Sequence, residues 1–586
     1  MSAWRFDIPD CPPDDVRRLQ GELGISGPLS QVLVRRGLAD PGSAREFLSG
    51  GEEHPPEAFA GIQEAAELIL SHVRDGSRIT VHGDYDVDGI CSTAILLRVL
   101  RGLGGDVDSY IPDRAGDGYG LAQATVDRLA ERGTRLLITA DCAITAVQEV
   151  ASAREQGIDV VVTDHHTPRA DGILPDAPIV HPGVSGYPFR DLCAAAVAYK
   201  LAQHLCTRAG TDPRSVRADL DLVALATIAD VVPLVGENRV LVRSGLRALA
   251  GTSKPGLRAL MAVAGVDPGK ITERSIGFAL APRLNAAGRL YRADAGLELV
   301  MSTDPARAQE IARELDRANS ERRQVEMRIR VAAEAQMREL GDRPAYVLAG
   351  EGWHAGVIGI VASRLVESSG RPVVMIALDG DRGRGSGRSI DAVNLLEALT
   401  SCQEHLARYG GHAAAAGLEI ERRCLPAFTR GLEEHVLARL KAGDPVPVER
   451  VDAVVAGEEL GMDLAEELAM MAPFGRGNPS VSLMVDEACF ADPRPMGEGK
   501  HVRFTVESGG SRARAVAFGN GGRLPVAAGE PALATFSLEV NEWNGVSEPR
   551  LVLRRACPAA DPEPTEPLAA EEGDSGSGEL VLFALP

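Results

Sequence analysis

The sequence predicts a multidomain α/β protein: a parallel-sheet unit joined by a long helix to a second α/β unit, followed by a β-rich unit. Three observations carry this. Between about residues 60 and 250, short apolar runs alternate with amphipathic stretches, the pattern of a parallel sheet covered by helices. From Asp304 to Leu340 the chain is charged and has no Gly or Pro after Pro305, which predicts one continuous helix. From about 450 to 556, stretches such as HVRFTV, RAVAFG and ATFSLEV alternate with the period of strands. At roughly 100–200 residues per domain, 586 residues divide into three to five domains.

Taken in order, residues 1–55 form a short helical lead-in, ended by Gly50-Gly51 and Pro55-Pro56. Residues 56–303 hold the first α/β unit, with a helix at Ile62–Arg74, a strand at Arg78–His82, a helix at Ile90–Leu103, and strands at Arg135–Thr139 and Asp159–Thr163. Residues 304–340 are the connecting helix, read as an interdomain spacer. Residues 341–448 form the second α/β unit and 449–556 the β-rich unit. Residues 557–586 are rich in Pro, Glu, Gly and Ser and are expected to be disordered, closing on an apolar end, Leu580–Leu585.

Composition narrows the function classes. Hydrophobic content of 45% and charged content of 25% mark a globular chain. No apolar run approaches the ~20 residues that span a bilayer. The N-terminus carries acids and prolines where a signal peptide needs basic and then apolar residues, so a cytoplasmic protein is expected. Nine scattered cysteines with no Cys-x-x-Cys pair suggest neither a zinc knuckle nor a dithiol site. A net charge of −21 argues against a protein that coats DNA through a wholly basic surface. It leaves room for a nucleic-acid enzyme, because metal-binding carboxylates count as negative until cations arrive.

The chemistry concentrates at element ends in the first α/β unit, each cluster expected just after a strand. His82, Asp84, Asp86 and Asp88 fall within seven residues. Gathered in one pocket, that much like charge is destabilising or forces protonation, and divalent cations resolve the conflict. Asp141 ends a second apolar run, Asp164-His165-His166 follows a third, and Asp230 ends the apolar segment LVALATIAD. One such cluster alone could be a solvated acidic turn; four on one unit point to a shared site. Oxygen donors with some imidazole suit Mn²⁺ or Mg²⁺, and two ions can clamp a phosphate and activate a water. Asp164 can orient an imidazole from behind.

The order HGDYDVDG, TADC, TDHHTP and ATIAD resembles the DHH phosphoesterase superfamily. The resemblance implies that His82, Asp86, Asp88, Asp141, His165 and Asp230 are metal ligands, with Asp84 an additional carboxylate. It implies that His166 contacts the scissile phosphate, Asp164 supporting it. The segments Tyr110–Arg114, Gly118–Leu121 and Ala281–Arg289 resemble the RecJ branch. So do Glu351–Gly359, Gly385–Ser389 and Gly410–His412, which are similar to the DHH-associated domain. By that resemblance Arg114, Tyr119, Arg283, Asn285, Arg289, His354, Ser386, Arg388 and His412 bind substrate, and Arg114, Arg283, Ser386 and Arg388 hold a 5′ phosphate. Glycines let backbone N–H groups approach phosphate, and Arg pairs with it in a planar fork.

Pro473–Pro479, Gly499–His501 and Asn541–Gly545 are similar to an OB-fold domain. Such a barrel offers a basic groove and stacking faces for a single strand, here Phe504, Phe518 and Trp543 at most. Two departures remove no ligand: Ala143 and His181 stand where the family usually has Gly and Asn. The activity implied is a single-stranded-DNA-specific 5′→3′ exonuclease of repair and recombination, releasing 5′-mononucleotides with two Mn²⁺ or Mg²⁺ ions. The family also implies a single-strand-binding protein and a helicase as partners; a monomer is expected. An oligonucleotide or cyclic-dinucleotide phosphodiesterase commonly lacks the OB-like unit, and a metal-free scaffold would not keep these carboxylates and histidines.

Overall fold

The computed structural model describes residues 5–112, 120–290, 292, 294–440, 448–543 and 545–559, the side chains of 287, 289, 290, 486 and 543 excepted. The first sheet has five strands in the order Val107–Tyr110, Ile79–His82, Leu136–Ala140, Asp159–Thr163 and Ile179–Val180, every neighbouring pair parallel. Residues 79–82 and 136–140 are buried at every position. Apolar runs without alternation suit a strand covered on both faces. Leu136, Ile138 and Ala140 face a core that extends to Leu315 on the long helix. Leu137, Val160 and Val162 face a second core built with Val126, Leu129 and Val150. The pleat sends alternate residues to opposite sides.

Two elements at the site differ from expectation. The helix expected from Ile90 runs Val87–Gly102, starting three residues earlier, because Asp86 caps it. The Asp86 Oδ1 accepts hydrogen bonds from the amides of Asp88 (3.0 Å) and Gly89 (3.1 Å). Asp88 therefore sits in the first helical turn. The segment that ends at Asp230 is a helix, Leu220–Ala229, with Asp230 as its C-terminal cap, so this carboxylate does not follow a strand.

The long helix spans Pro305–Leu340, capped by the Asp304 side chain. It is more than a spacer. Ala308, Ile311, Ala312 and Leu315 belong to the first unit's core, and Ile329 and Ala333 to that of the second. Buried Glu326 on it pairs with Arg322 (3.2 Å) and with Arg364 of the second unit (2.8 Å). The second sheet runs Arg408–Gly411, Ala415–Glu421, Arg382–Arg388, Val373–Asp379, Tyr346–Glu351, and only its last pair is parallel.

The β-rich unit is a closed barrel. Leu483–Met496 pairs with Ala453–Val455, with His501–Ser508 and with Pro531–Trp543, so the six-stranded sheet returns on itself. The N-terminal segment is part of this unit rather than a separate lead-in. Leu19, Leu29, Val32, Leu33 and Ala44 share one core with Val485, Phe490, Phe504 and Phe536. Arg5–Asp7 pairs in parallel with Val448–Arg450. Arg36 forms a two-pronged pair with Asp452 (3.0 and 2.8 Å). Arg239, from the first unit, is fully buried at the junction, donating to the carbonyls of Phe47, Met470 and Met471. Among the described residues no helix is long and apolar enough to cross a membrane.

Candidate active site

The carboxyl ends of the parallel strands and two helix ends converge. His82 ends one strand, Asp141 follows another, and Asp164 follows a third. The backbone at Asp141 is left-handed, with φ of 70°, and at Ala143 it reaches 83°, a conformation a glycine would adopt without strain. Gly89 permits the close approach of the Asp84 loop to the helix: a Cβ there would lie 2.5 Å from the Asp84 nitrogen.

Three groups of side-chain donors each fit around one point: Asp84, Asp86 and Asp141; Asp88, His165 and Asp230; Asp141, His165 and His166. The His165 Nε2 lies 3.3 Å from Asp141 Oδ1, 3.6 Å from Asp230 Oδ2 and 3.7 Å from Asp88 Oδ2. Asp141 and His165 thus link two neighbouring clusters. Asp84, the least secured ligand from sequence, lies in one of them. His82 lies in none; its Nδ1 is 3.4 Å from Cys142 Sγ and its ring stacks on Tyr110 at 5.5 Å.

These residues fit divalent cations. Asp141 Oδ1 and His165 Nε2 are buried and make no hydrogen bond. Burial, and then the charge of Asp86, push the Asp88 carboxyl up to about 7. Burial and neighbouring carboxylates raise Asp141 and Asp230 well above the usual range. Cations would relieve that repulsion. Burial keeps the Cys142 thiol protonated, so the donors are oxygen and imidazole.

Supporting contacts fix the donors. Asp88 accepts from the amides of Ala194 and Ala195, both at 2.7 Å, at the start of the helix Ala194–Arg208. Asp164 accepts from the amides of Ile144 (2.9 Å), His165 (2.7 Å) and His166 (3.1 Å) and from the His166 ring Nδ1 (2.8 Å). Burial alone would depress His166, but the bond to Asp164 and nearby carboxylates outweigh it and raise the ring to about 9. Burial, with the charge of His166, holds His165 near 4, leaving it neutral and able to coordinate. His181 Nε2 reaches the His166 carbonyl at 2.8 Å, while its Nδ1 accepts from the amides of Gly183 and Val184.

The expected substrate residues divide. Ser386 and Arg388 lie on one strand, with Arg388 Nη1 3.1 Å from Ser386 Oγ. Exposed His412 sits in the turn beyond, its amide bonded to Ala415, the strand partner of Arg388. Exposed His354 accepts the Gly356 amide through Nδ1. Asn285 instead braces the metal loop: its Oδ1 accepts from the Val87 amide at 3.0 Å. Arg283 is engaged by Asp316 of the long helix (2.9 Å) and by the Ala279 carbonyl. Arg114, Tyr119 and the Arg289 side chain lie outside the described residues, as do the Trp543 side chain and the chain from 560 onward. On the barrel, Phe504 is buried against Phe490 and belongs to the core, whereas Phe518 is half-buried beside His501. Arg494 and Arg503 face each other across adjacent strands, both exposed. Like charges so placed are destabilising without an anion between them. Sequence reasoning missed the Ala194 and Ala195 amides, which carry no side-chain signal. It also gave Arg476 no role, although its Gly-Arg-Gly setting was visible.

Comparison with known proteins agrees with this architecture. The chain matches the model of the DHH family, N-terminal domain, over residues 78–227, the DHHA1 domain over 342–437 and the RecJ OB domain over 451–555. It is 38% identical to the single-stranded-DNA-specific exonuclease RecJ of Bacillus subtilis, over 94% of this chain and 70% of that protein. It is 34% identical to its Escherichia coli counterpart, over 94% of this chain and 97% of that one. The crystal structure of RecJ from Thermus thermophilus in complex with Mn²⁺ superimposes with a TM-score of 0.83 at 33% identity, covering 96% of this chain and 80% of that one. The Mg²⁺ complex of the same protein gives 0.76 at 32% identity, covering 96% and 79%. With its three domains in the same order and its site residues converging at one centre, the chain belongs to the RecJ family of single-stranded-DNA-specific exonucleases.

Proposed function

We propose that this chain is a single-stranded-DNA-specific 5′→3′ exonuclease of DNA repair and recombination, releasing 5′-mononucleotides with two Mn²⁺ or Mg²⁺ ions. The observation that carries it is the pair of donor clusters, Asp84–Asp86–Asp141 and Asp88–His165–Asp230, joined through the close approach of Asp141 and His165. Bound there, the ions supply Lewis acidity and an activated water. Asp141 belongs to the first cluster and meets the second through His165, 3.3 Å away. Asp164 holds His166 as a cation that donates to the scissile phosphate. His82 borders the site through Cys142, the residue after Asp141, whose Sγ lies 3.4 Å from its Nδ1. Ser386 and Arg388 form the 5′-phosphate cradle, with His354 and His412 at its edge; on family resemblance Arg114, Tyr119, Arg283 and Arg289 also bind the substrate. The barrel tracks the following strand through paired Arg494 and Arg503. On family resemblance, a single-strand-binding protein and a helicase deliver the strand to a monomer.

The test incubates the protein with Mn²⁺ and 3′-labelled single-stranded, duplex and 5′-blocked DNA, beside Asp141→Ala. Mononucleotides released from the open single strand alone, and none by the variant, are expected. Equal cleavage of duplex would sink the strand preference; an active Asp141→Ala would sink the metal assignment.

A further inference from the structure

The barrel unit contributes one loop to the first unit's metal centre. Residues Pro473 to Asn478 pack directly on the segment that follows Asp230. The Leu234 amide donates to the Arg476 carbonyl at 2.7 Å. A Cβ on Gly475 would lie 2.7 Å from the Leu234 side chain, so the two segments are in close contact there. On the other side, the Phe474 amide bonds the half-buried carboxylate of Glu273. Within the loop, Asn478 Nδ2 donates to the carbonyls of Met471 and Pro473, both at 2.8 Å, and its Oδ1 accepts from Arg36 at 2.8 Å. Every one of these contacts uses backbone or the flanking residues. The guanidinium of Arg476 is used by none of them, is half-buried, and acts electrostatically on Asp230.

A loop so tightly fixed, holding a cation that acts on Asp230, needs a reason. Burying the Arg476 stem for packing alone would not call for a charge. In the proposed function the cradle of the second unit holds the 5′ end and the barrel tracks the remaining strand. We propose that Arg476 binds the DNA phosphate immediately 3′ of the scissile one, linking the barrel's grip on the strand to register at the metal centre. This rests on the exonuclease reading above. Arg476 is thus a substrate-binding residue supplied across the domain junction, and its planar fork suits a single phosphate with two hydrogen bonds.

The experiment compares wild type with Arg476→Gln and Arg476→Lys on two 3′-labelled, 5′-phosphorylated single strands with Mn²⁺. One strand is unmodified; the other carries a neutral methylphosphonate immediately 3′ of the first scissile phosphate. On the unmodified strand Arg476→Gln should lower kcat/KM about tenfold or more. Its dependence of log KM on log salt should flatten by about 0.7, the value for one phosphate contact to a single strand. Arg476→Lys should retain the salt slope and part of the rate. On the methylphosphonate strand, wild type and Arg476→Gln should cut the first bond at similar rates with similar slopes, because the anion is already gone. Losses that multiply on the modified strand, or an unchanged salt slope in Arg476→Gln, would overturn the assignment. Wild type inactive on both strands would overturn the exonuclease reading itself, a result distinct from either.

Discussion

At the scale of single residues, the metal centre is built on conflict between carboxylates, and that conflict has a pH signature. Asp88, Asp141 and Asp230 are all held above their unfolded values in the cation-free protein. A carboxyl raised on folding contributes stability while it is protonated and loses it as pH rises through the folded value, near 7 for Asp88. The cation-free protein should therefore melt at lower temperature at about pH 8 than at about pH 5, as far as this cluster decides. Mn²⁺ should reverse the trend, with a larger upward shift in Tm at the higher pH; equal shifts at both would contradict the reading. Asn285 offers a second check. Its loss leaves the Val87 amide without an acceptor, at a cost of about 1–3 kcal/mol, in the loop that presents three carboxylates. Asn285→Ala should weaken Mn²⁺ binding about tenfold, read by calorimetry, with the fold intact. The ligand types were legible from sequence because acids and histidines stand next to apolar runs. What was hidden were backbone donors, such as the amides that hold Asp88, and the left-handed turn at Asp141, since neither leaves a mark in residue type.

At the scale of elements, the long helix determines how far the phosphate cradle stands from the metals. It is anchored in the first core through Leu315 and in the second through Ile329, with Glu326 pinned between Arg322 and Arg364. Inserting seven residues after Gln324 would lengthen it by about 10 Å while nearly preserving the phase of both faces. Both units should fold and Mn²⁺ should still bind. Preference for a 5′-phosphorylated over a 5′-hydroxyl strand should vanish; its persistence would show that Ser386 and Arg388 do not read the end held at the metals. The helix itself was plain in the sequence, uninterrupted by Gly or Pro. Its double burial was not, because Ala308, Ala312, Ala318 and Ala333 form an inconspicuous small-residue stripe among charged neighbours. The start of the helix at Val87 was misjudged for a related reason: Asp86 was read as a metal ligand alone, although it also caps the helix.

At the scale of the molecule, the order of units was legible because periodicity changes from one segment to the next. The partnership of the two ends was not, since nothing local joins Leu29 to Val485. Arg36 and Asp452, with side chains 11% and 6% exposed, bind those ends together. Breaking a buried pair of this kind costs about 3–5 kcal/mol, so Arg36→Ala should lower the melting temperature of the barrel transition. Deleting residues 1–50 should expose its core to dye binding; a barrel as stable as before would refute the shared core. The same closure shapes how the chain comes into being. The apolar faces around Leu19, Leu29 and Leu33 leave the ribosome well before the strands that cover them, which are made about 400 residues later. At roughly 5–20 residues per second that is a wait of about 20–80 s. This segment is therefore made long before it can fold, and during that interval it is the part with most need of a chaperone.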